Sequence, residues 1–167
     1  MAVERDVLRQ LLGGRAVTVA IVTARADERV HGMTVTAFTE VSLDPPLVLV
    51  CADQTSHTHP LIEAGGVFAL NLLSEGQAEL SNRFASKKDE ERRFEGIEWE
   101  TAATGAPILP GALGALDCRV VAAHPGGDHV IYVGCVEAVR VFPERKPLLY
   151  RRGTYGVFRS GDVGLEV

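Results

Sequence analysis

The stretch Gly32-Met33-Thr34-Val35-Thr36-Ala37-Phe38-Thr39-Glu40-Val41-Ser42-Leu43-Asp44-Pro45-Pro46 carries hydroxyls at Thr34, Thr36, Thr39 and Ser42. It ends in a proline pair and runs directly into the apolar Leu47-Val48-Leu49-Val50-Cys51. Strand alternation puts Thr34 and Thr36 on one face and Val35 and Ala37 on the other. On composition alone this is a strand that uses threonine for its β-propensity. A glycine, a row of small hydroxyls and a rigid turn also suit close backbone approach to a polar ligand. A second hydroxyl cluster, Thr55-Ser56-His57-Thr58, follows the strand that ends at Cys51. Two such clusters at the ends of neighbouring strands can converge on one polar ligand.

Outward from this block, short β-rich segments dominate. Residues 16–23 and 30–39 read as two strands around a polar turn at 25–29, and 47–52 and 67–72 as two more. Residues 116–123 and 130–141 form a further pair joined by the loop His124-Pro125-Gly126-Gly127-Asp128-His129, and 147–150 is a last short strand. Helices are few. One covers residues 3–12, with Val3, Val7, Leu8, Leu11 and Leu12 at helical spacing before Gly13-Gly14. Another opens at Thr58-His59-Pro60 and ends at Gly65-Gly66. A third begins at a capping box with Ser74 as N-cap and Gln77 at N3. Residues 95–110 are irregular, and the tail from 160 to 167 frays. Strands mostly follow strands, so about six or seven of them form an antiparallel barrel rather than a parallel βαβ sheet. The 167 residues, 46% hydrophobic and 23% charged, fit one globular domain.

Composition excludes several functions. A formal net charge of −5 argues against nucleic-acid binding. The N-terminal segment has no apolar signal-peptide core and no run is long enough to span a membrane, so the expected location is the cytoplasm. Cys51, Cys118 and Cys135 are widely spaced, without a CxxC, and read as free thiols. Cations gather only at Arg83, Lys87, Lys88, Arg92 and Arg93, interrupted by Asp89, Glu90 and Glu91. This is either a solvated helix face or a site where one or two cations meet a phosphate. No GxGxxG, Walker A or GxSxG pattern occurs, and no carboxylate pair suggests glycoside hydrolysis. His31, His57 and His59 match no common metal-ligand spacing and read as surface or turn histidines. Gly127-Asp128-His129 is either a hairpin turn or an imidazole presented to a ligand at a strand end.

Taken together, the blocks GMTVTAFTEVSLDPPLVLVC (32–51), TSHTHPLI (55–62), FALNLLSEGQAELSNRFA (68–85), GDH (127–129) and PLLYRRGTY (147–155) resemble the flavin reductase-like family of the FMN-binding split-barrel fold. The SLDPPLV core is the most specific part, and His57 departs from the family's usual pattern. The resemblance implies a mainly β, antiparallel split β-barrel with a few short helices, in a homodimer that reduces FMN or FAD with NADH or NADPH. The reduced flavin passes to a separate monooxygenase component. It implies that Met33, Thr34, Val35, Thr36 and Ala37 line the isoalloxazine and ribityl chain. Cys51, Ala52, Ser56 and Thr58 would complete the pocket, and Arg83, Phe84 and Lys88 would lie on the phosphate side. His129 would stand by the nicotinamide, with Tyr150 and Tyr155 closing over it. None of these is a catalytic acid, base or nucleophile, because hydride transfer needs positioning rather than proton chemistry. Two other readings keep a related barrel: a flavin- or haem-binding module without turnover, and a pyridoxamine-phosphate oxidase-like enzyme. The GDH and Tyr150 segments favour the reductase over the first, and the scarcity of lysine disfavours the second.

Overall fold

A computed structural model describes residues 3–161 of the chain. The described elements are α1 (Arg5–Gly13), β1 (Val17–Thr18), β2 (Ala20–Ala26), β3 (Arg29–Val35), β4 (Phe38–Leu43), β5 (Pro46–Asp53), α2 (His59–Gly65), β6 (Val67–Leu72), α3 (Ala78–Ala85), β7 (Gly114–Gly126), β8 (His129–Val141), β9 (Leu148–Arg151) and β10 (Thr154–Val157). Seven strands form one antiparallel sheet in the order β3-β2-β6-β7-β8-β5-β4, and β1-β9-β10 form a second, smaller one. The edge strands β3 and β4 are consecutive in the chain, joined only by Thr36-Ala37, so the large sheet must curl round on itself. The Cys51 amide donates to the Ala37 carbonyl at 2.9 Å and holds the join. Closure of this kind protects the edges of a sheet that would otherwise template aggregation.

The barrel interior is filled by Val22, Met33, Val35, Val50, Phe68, Leu70 and Tyr132 among others. Curvature needs room at one point, which Gly134 supplies: a Cβ there would sit 2.5 Å from Phe68 Cζ and 2.9 Å from Cys118 Cβ. A second core of Val19, Ile21, Leu73, Phe84, Leu109 and Leu148 lies outside the barrel wall, under α3 and the small sheet. The irregular 95–112 segment is pinned to this wall by buried polar groups. Asn71 Oδ1 accepts from the Leu109 amide at 2.8 Å, Thr23 Oγ1 donates to the Pro107 carbonyl at 2.5 Å, and Asp117 accepts from the Thr104 amide and hydroxyl.

The strand class and its antiparallel pairing are as the sequence predicts, and several boundaries differ for physical reasons. The expected single strand at 16–23 divides at Val19. Its amide donates to Leu148 in the small sheet, while its carbonyl accepts from Leu73 beside the barrel. The expected strand at 30–39 divides at Thr36-Ala37, where the barrel closes. The loop at 124–129 shrinks to the two residues Gly127 and Asp128, with Pro125 paired to Val130 and Gly127 at φ 75°. Strand β10 has no counterpart in the sequence reading. Its turn, Arg152-Gly153, takes left-handed φ values of 50° and 81°, as a two-residue hairpin requires, yet carries no Asn-Gly or Asp-Gly signal.

Helix α3 begins at Ala78 with Gln77 at the N-cap, so Ser74 does not cap it. The reciprocal contact is nonetheless made ahead of the helix: the Ser74 amide donates to Gln77 Oε1 at 3.0 Å and the Gln77 amide to the Ser74 carbonyl at 2.9 Å. The 83–93 segment is not a helix face: α3 ends at Ala85, and only a single 3-10 turn, Glu90–Arg92, follows. The N-terminal helix is shifted slightly, to Arg5–Gly13, and buries none of its side chains. Residues 162–167 of the expected frayed tail lie outside the described residues.

Candidate functional site

Gly32 sets the geometry of the site. A Cβ at this position would lie 3.0 Å from Phe84 Cε1 and 3.1 Å from the Val22 carbonyl oxygen. Its absence lets the fully buried Phe84 seat α3 directly on β3. That seating brings the Ser81 carbonyl within 2.6 Å of Thr34 Oγ1, which donates to it. From the other side, Tyr155 Oη donates to Ser81 Oγ at 2.8 Å and reaches Asn82 Oδ1 at 2.9 Å. The Tyr150 and Tyr155 rings stack obliquely with centroids 5.3 Å apart. Between these groups lies a cleft of about 400 Å³, lined by Thr34, Thr36, Ser81, Asn82, Tyr150 and Tyr155, with Val19, Ala85 and Gly153. Its volume falls in the range of small-molecule sites, about 300–1,000 Å³. One wall is aromatic and apolar and the other is hydroxyl and amide. A flat ring with a polar edge fits such a surface.

The C-terminal end of α3 also borders a cationic cleft lined by Arg83, Ser86, Lys88, Asp89, Arg92 and Glu95. Here Arg83 Nη2 donates to the carbonyls of Arg92 and Glu95, both at 2.6 Å, and so holds the 86–95 segment in place. Arg92 is paired with Glu95 at 2.9 Å. Arg93 is buried and donates to the Gly32 carbonyl at 2.7 Å and the Ser86 carbonyl at 2.5 Å. A cleft with Arg83 and Lys88 on its rim suits the phosphate of a nucleotide whose ring lies across α3.

The remaining predicted residues lie outside the two clefts. Met33, Val35, Ala52 and Phe84 are buried in the two cores, so their side chains do not face either cleft and only backbone is available to a ligand there. Ala37 is exposed and Cys51 half-buried at the barrel join. The second hydroxyl cluster works largely within the protein. Ser56 Oγ donates to the Asp53 carbonyl at 2.8 Å and accepts from the His59 amide at 3.2 Å, and the buried Thr58 meets His31 Nδ1 at 2.8 Å. His129 does not line the hydroxyl cleft. It pairs with Asp53 in the β5–β8 register and its Nδ1 lies 2.7 Å from Asp128 Oδ1. That hydrogen bond holds the Asp128 carboxyl below the usual carboxylate range. Asp53 is likewise held low, chiefly by the Thr55 amide and hydroxyl.

Sequence reasoning missed Ser81, Asn82, Ala85 and Gly153, which join the cleft through tertiary packing. Helical spacing on α3 is their one sequence signal, because residues 81, 82 and 85 share a face. Among the described residues no nucleophile–base pair lies in the cleft.

The antiparallel barrel is shared with solved flavin reductases of the split-barrel type. A putative flavin reductase from Haemophilus somnus 129pt superimposes with a TM-score of 0.90 at 30% identity, over 93% of this chain and all of that one. The NADH:FAD oxidoreductase SgcE6 of Streptomyces globisporus C-1027, solved with NAD and FAD fragments, gives 0.87 at 32% identity, over 96% of each chain. In sequence, the reductase subunit HsaB of a flavin-dependent monooxygenase from Mycobacterium tuberculosis is 39% identical over 149 residues, 88% of this chain and 79% of that protein. The reductase component of an FADH2-dependent resorcinol hydroxylase from a Rhizobium species is 41% identical over 140 residues, 83% of this chain and 78% of that protein. The flavin reductase like domain matches residues 12–159, and this chain belongs to that family.

Proposed function

We infer that this protein is an NAD(P)H-dependent flavin reductase, the reductase component of a two-component flavin-dependent monooxygenase. The observation that carries this reading is the cleft between Thr34, Thr36, Ser81 and the Tyr150–Tyr155 hairpin. It offers hydroxyls and aromatic faces for a flat polar ring and, among the described residues, no carboxylate, imidazole or thiol for other chemistry. When bound, the flavin, FMN or FAD, supplies the acceptor for two electrons from NADH or NADPH. The chain's own residues orient and shield. The Thr34 hydroxyl is committed to Ser81 and fixes α3, whereas the exposed Thr36 hydroxyl makes no protein hydrogen bond among the described residues and remains for the ligand. Tyr150 and Tyr155 exclude water from one face of the ring. Arg83 and Lys88 neutralise the flavin phosphate in a protein whose net charge is −5. His129, at the start of β8, meets the nicotinamide nucleotide. The backbone at Met33, Val35 and Ala37 is offered to the ring, and Cys51, Ala52, Ser56 and Thr58 support that wall from within the protein.

The working unit is a homodimer in the cytoplasm. Val7, Leu8, Leu11 and Leu12 on α1 and Phe158 beyond β10 are exposed, and a second copy would cover them. Among the described residues no helix is long and apolar enough to cross a membrane. The test is steady-state oxidation of NADH and NADPH by the purified chain with FMN and FAD in turn. Turnover with at least one pair is expected, and none with any of the four combinations would remove the reading.

A further inference from the structure

Away from the hydroxyl cleft, three side chains from three separate segments converge. They are His31 on β3, His57 in the turn before α2, and Glu90 in the 3-10 turn. One ligand atom from each lies within 4.8 Å of those of the other two. Glu90 Oε2 is 3.8 Å from His31 Nε2 and 3.5 Å from His57 Nδ1. The His31 side chain is only 9% exposed, and its Nε2 has no hydrogen-bond partner. A buried nitrogen left unpaired costs free energy, so it calls for an occupant. The other ring nitrogen, Nδ1, lies 2.8 Å from Thr58 Oγ1. With Nδ1–H donating to that hydroxyl, Nε2 presents its lone pair to Glu90 and His57. An outer partner of this kind is how proteins fix the tautomer and direction of a metal-ligating histidine. His59, the third histidine of the sequence pattern, stands apart, with Nδ1 2.8 Å from Tyr132 Oη.

We propose that His31, His57 and Glu90 form a binding site for a divalent transition-metal cation of the zinc class. Two imidazoles and one carboxylate are a donor set that such ions take up, with a fourth position left to water. Donors at about 2.0–2.2 Å around a tetrahedral ion stand roughly 3.4 Å apart. The two Glu90 separations already approach that value, and the His57 ring, 60% exposed, is free to swing in and close the third. An anion fits poorly because the Glu90 carboxylate faces it. Arg93 opposes a cation, with Nη2 3.5 Å from Glu90 Oε2, but its guanidinium is anchored on the Gly32 and Ser86 carbonyls. The bound ion ties β3 and the entry to α2 to the segment whose Lys88, Asp89 and Arg92 border the cationic cleft. It acts as a clamp on that segment, and the proposal stands independently of the reductase reading.

The test uses the full chain, untagged and stripped with a chelator. Calorimetric titration with Zn²⁺ and absorption titration with Co²⁺ are run alongside thermal unfolding. The proposal expects about one ion per chain, the visible bands of tetrahedral cobalt, and a raised Tm with metal. His57→Ala, at an exposed position, and Glu90→Gln each weaken binding by about tenfold or more, while His59→Ala leaves it unchanged. No uptake by the wild-type chain, purely octahedral cobalt, or uptake that survives both His57→Ala and Glu90→Gln overturns it.

Discussion

Thr34 and Thr36 lie two residues apart on the same face of the chain, yet the structure gives their hydroxyls different work. Thr34 Oγ1 is spent on the Ser81 carbonyl at 2.6 Å, whereas Thr36 is exposed and its hydroxyl makes no protein hydrogen bond among the described residues. Thr→Val keeps the shape of each side chain and removes only the hydroxyl. For Thr34→Val the lost hydrogen bond is part-buried and should cost about 0.5–1.5 kcal/mol of stability. For Thr36→Val stability should stay within about 0.5 kcal/mol of the parent, as for surface changes generally. Flavin binding reverses the order. If Thr36 hydrogen-bonds the bound ring or its ribityl chain, its removal costs about 0.5–1.5 kcal/mol, roughly a 2- to 12-fold rise in Kd. Thr34→Val should weaken binding less, through loosened seating of α3. Urea unfolding gives the stabilities and quenching of flavin fluorescence gives the affinities. A Thr36→Val chain that binds flavin as tightly as the parent, or that loses more than about 1 kcal/mol of stability, would refute this division of roles.

Four further outcomes follow from the same geometry. Arg83→Ala should weaken FMN by about 1.5–3 kcal/mol, the worth of a charge-assisted bond, but change riboflavin affinity far less, because riboflavin has no phosphate; equal losses measured by titration would place Arg83 away from the phosphate. His129→Ala should raise the KM for the nicotinamide nucleotide much more than the KM for flavin, and equal effects in steady-state kinetics would count against its role. Gly134→Ala forces a Cβ to within 2.5 Å of Phe68 Cζ and should destabilise by about 1–3 kcal/mol or more, so an unchanged Tm would contradict the close packing at that point. Burial pushes the Cys118 thiol up to about 12, against 9.0 for a free group, so the unfolded chain ionises first on alkalinisation. Stability from this group is therefore complete below about pH 9 and is lost progressively as the pH rises toward 12, and Cys118 should resist alkylation until the chain unfolds, which mass spectrometry after timed alkylation checks.

The fold was largely legible because its strands are strongly patterned. Val67–Leu72 is bounded by Gly65-Gly66 before it and by the Ser74 turn after it, and its limits are as predicted. What escaped was closure. Nothing local marks Val19 or Thr36-Ala37 as the places where the chain changes sheet or edge, because those breaks answer to partners dozens of residues away. Strand β10 escaped because Arg152-Gly153 adopts a turn that sequence normally announces with asparagine or aspartate. In the site, the hydroxyls of Thr34 and Thr36 were visible as a strand face with too many polar groups. Ser81 and Asn82, which face them across the cleft, were not, since only the fit of Phe84 against Gly32 brings α3 to β3. Thr58 illustrates the opposite case: its hydroxyl read as a ligand group, but the fold directs it inward to His31. Likewise the charge-rich 83–93 run read either as a solvated helix face or as cations that meet a phosphate; the fold ends the helix at Ala85, turns Arg93 inward onto two carbonyls and sets Arg83 to hold the segment.

The central claim is that this chain moves electrons from a nicotinamide nucleotide to flavin repeatedly, by holding both rather than by side-chain chemistry. Anaerobic mixing of catalytic amounts of protein with excess FMN or FAD and NADH or NADPH tests it most directly, followed by the bleaching of oxidised flavin in the visible. The account predicts that bleaching continues through many equivalents of flavin per chain, at a rate that saturates with the nicotinamide nucleotide. Bleaching that stops at one equivalent, or does not begin with any pair, would contradict it and leave a flavin-binding barrel without turnover.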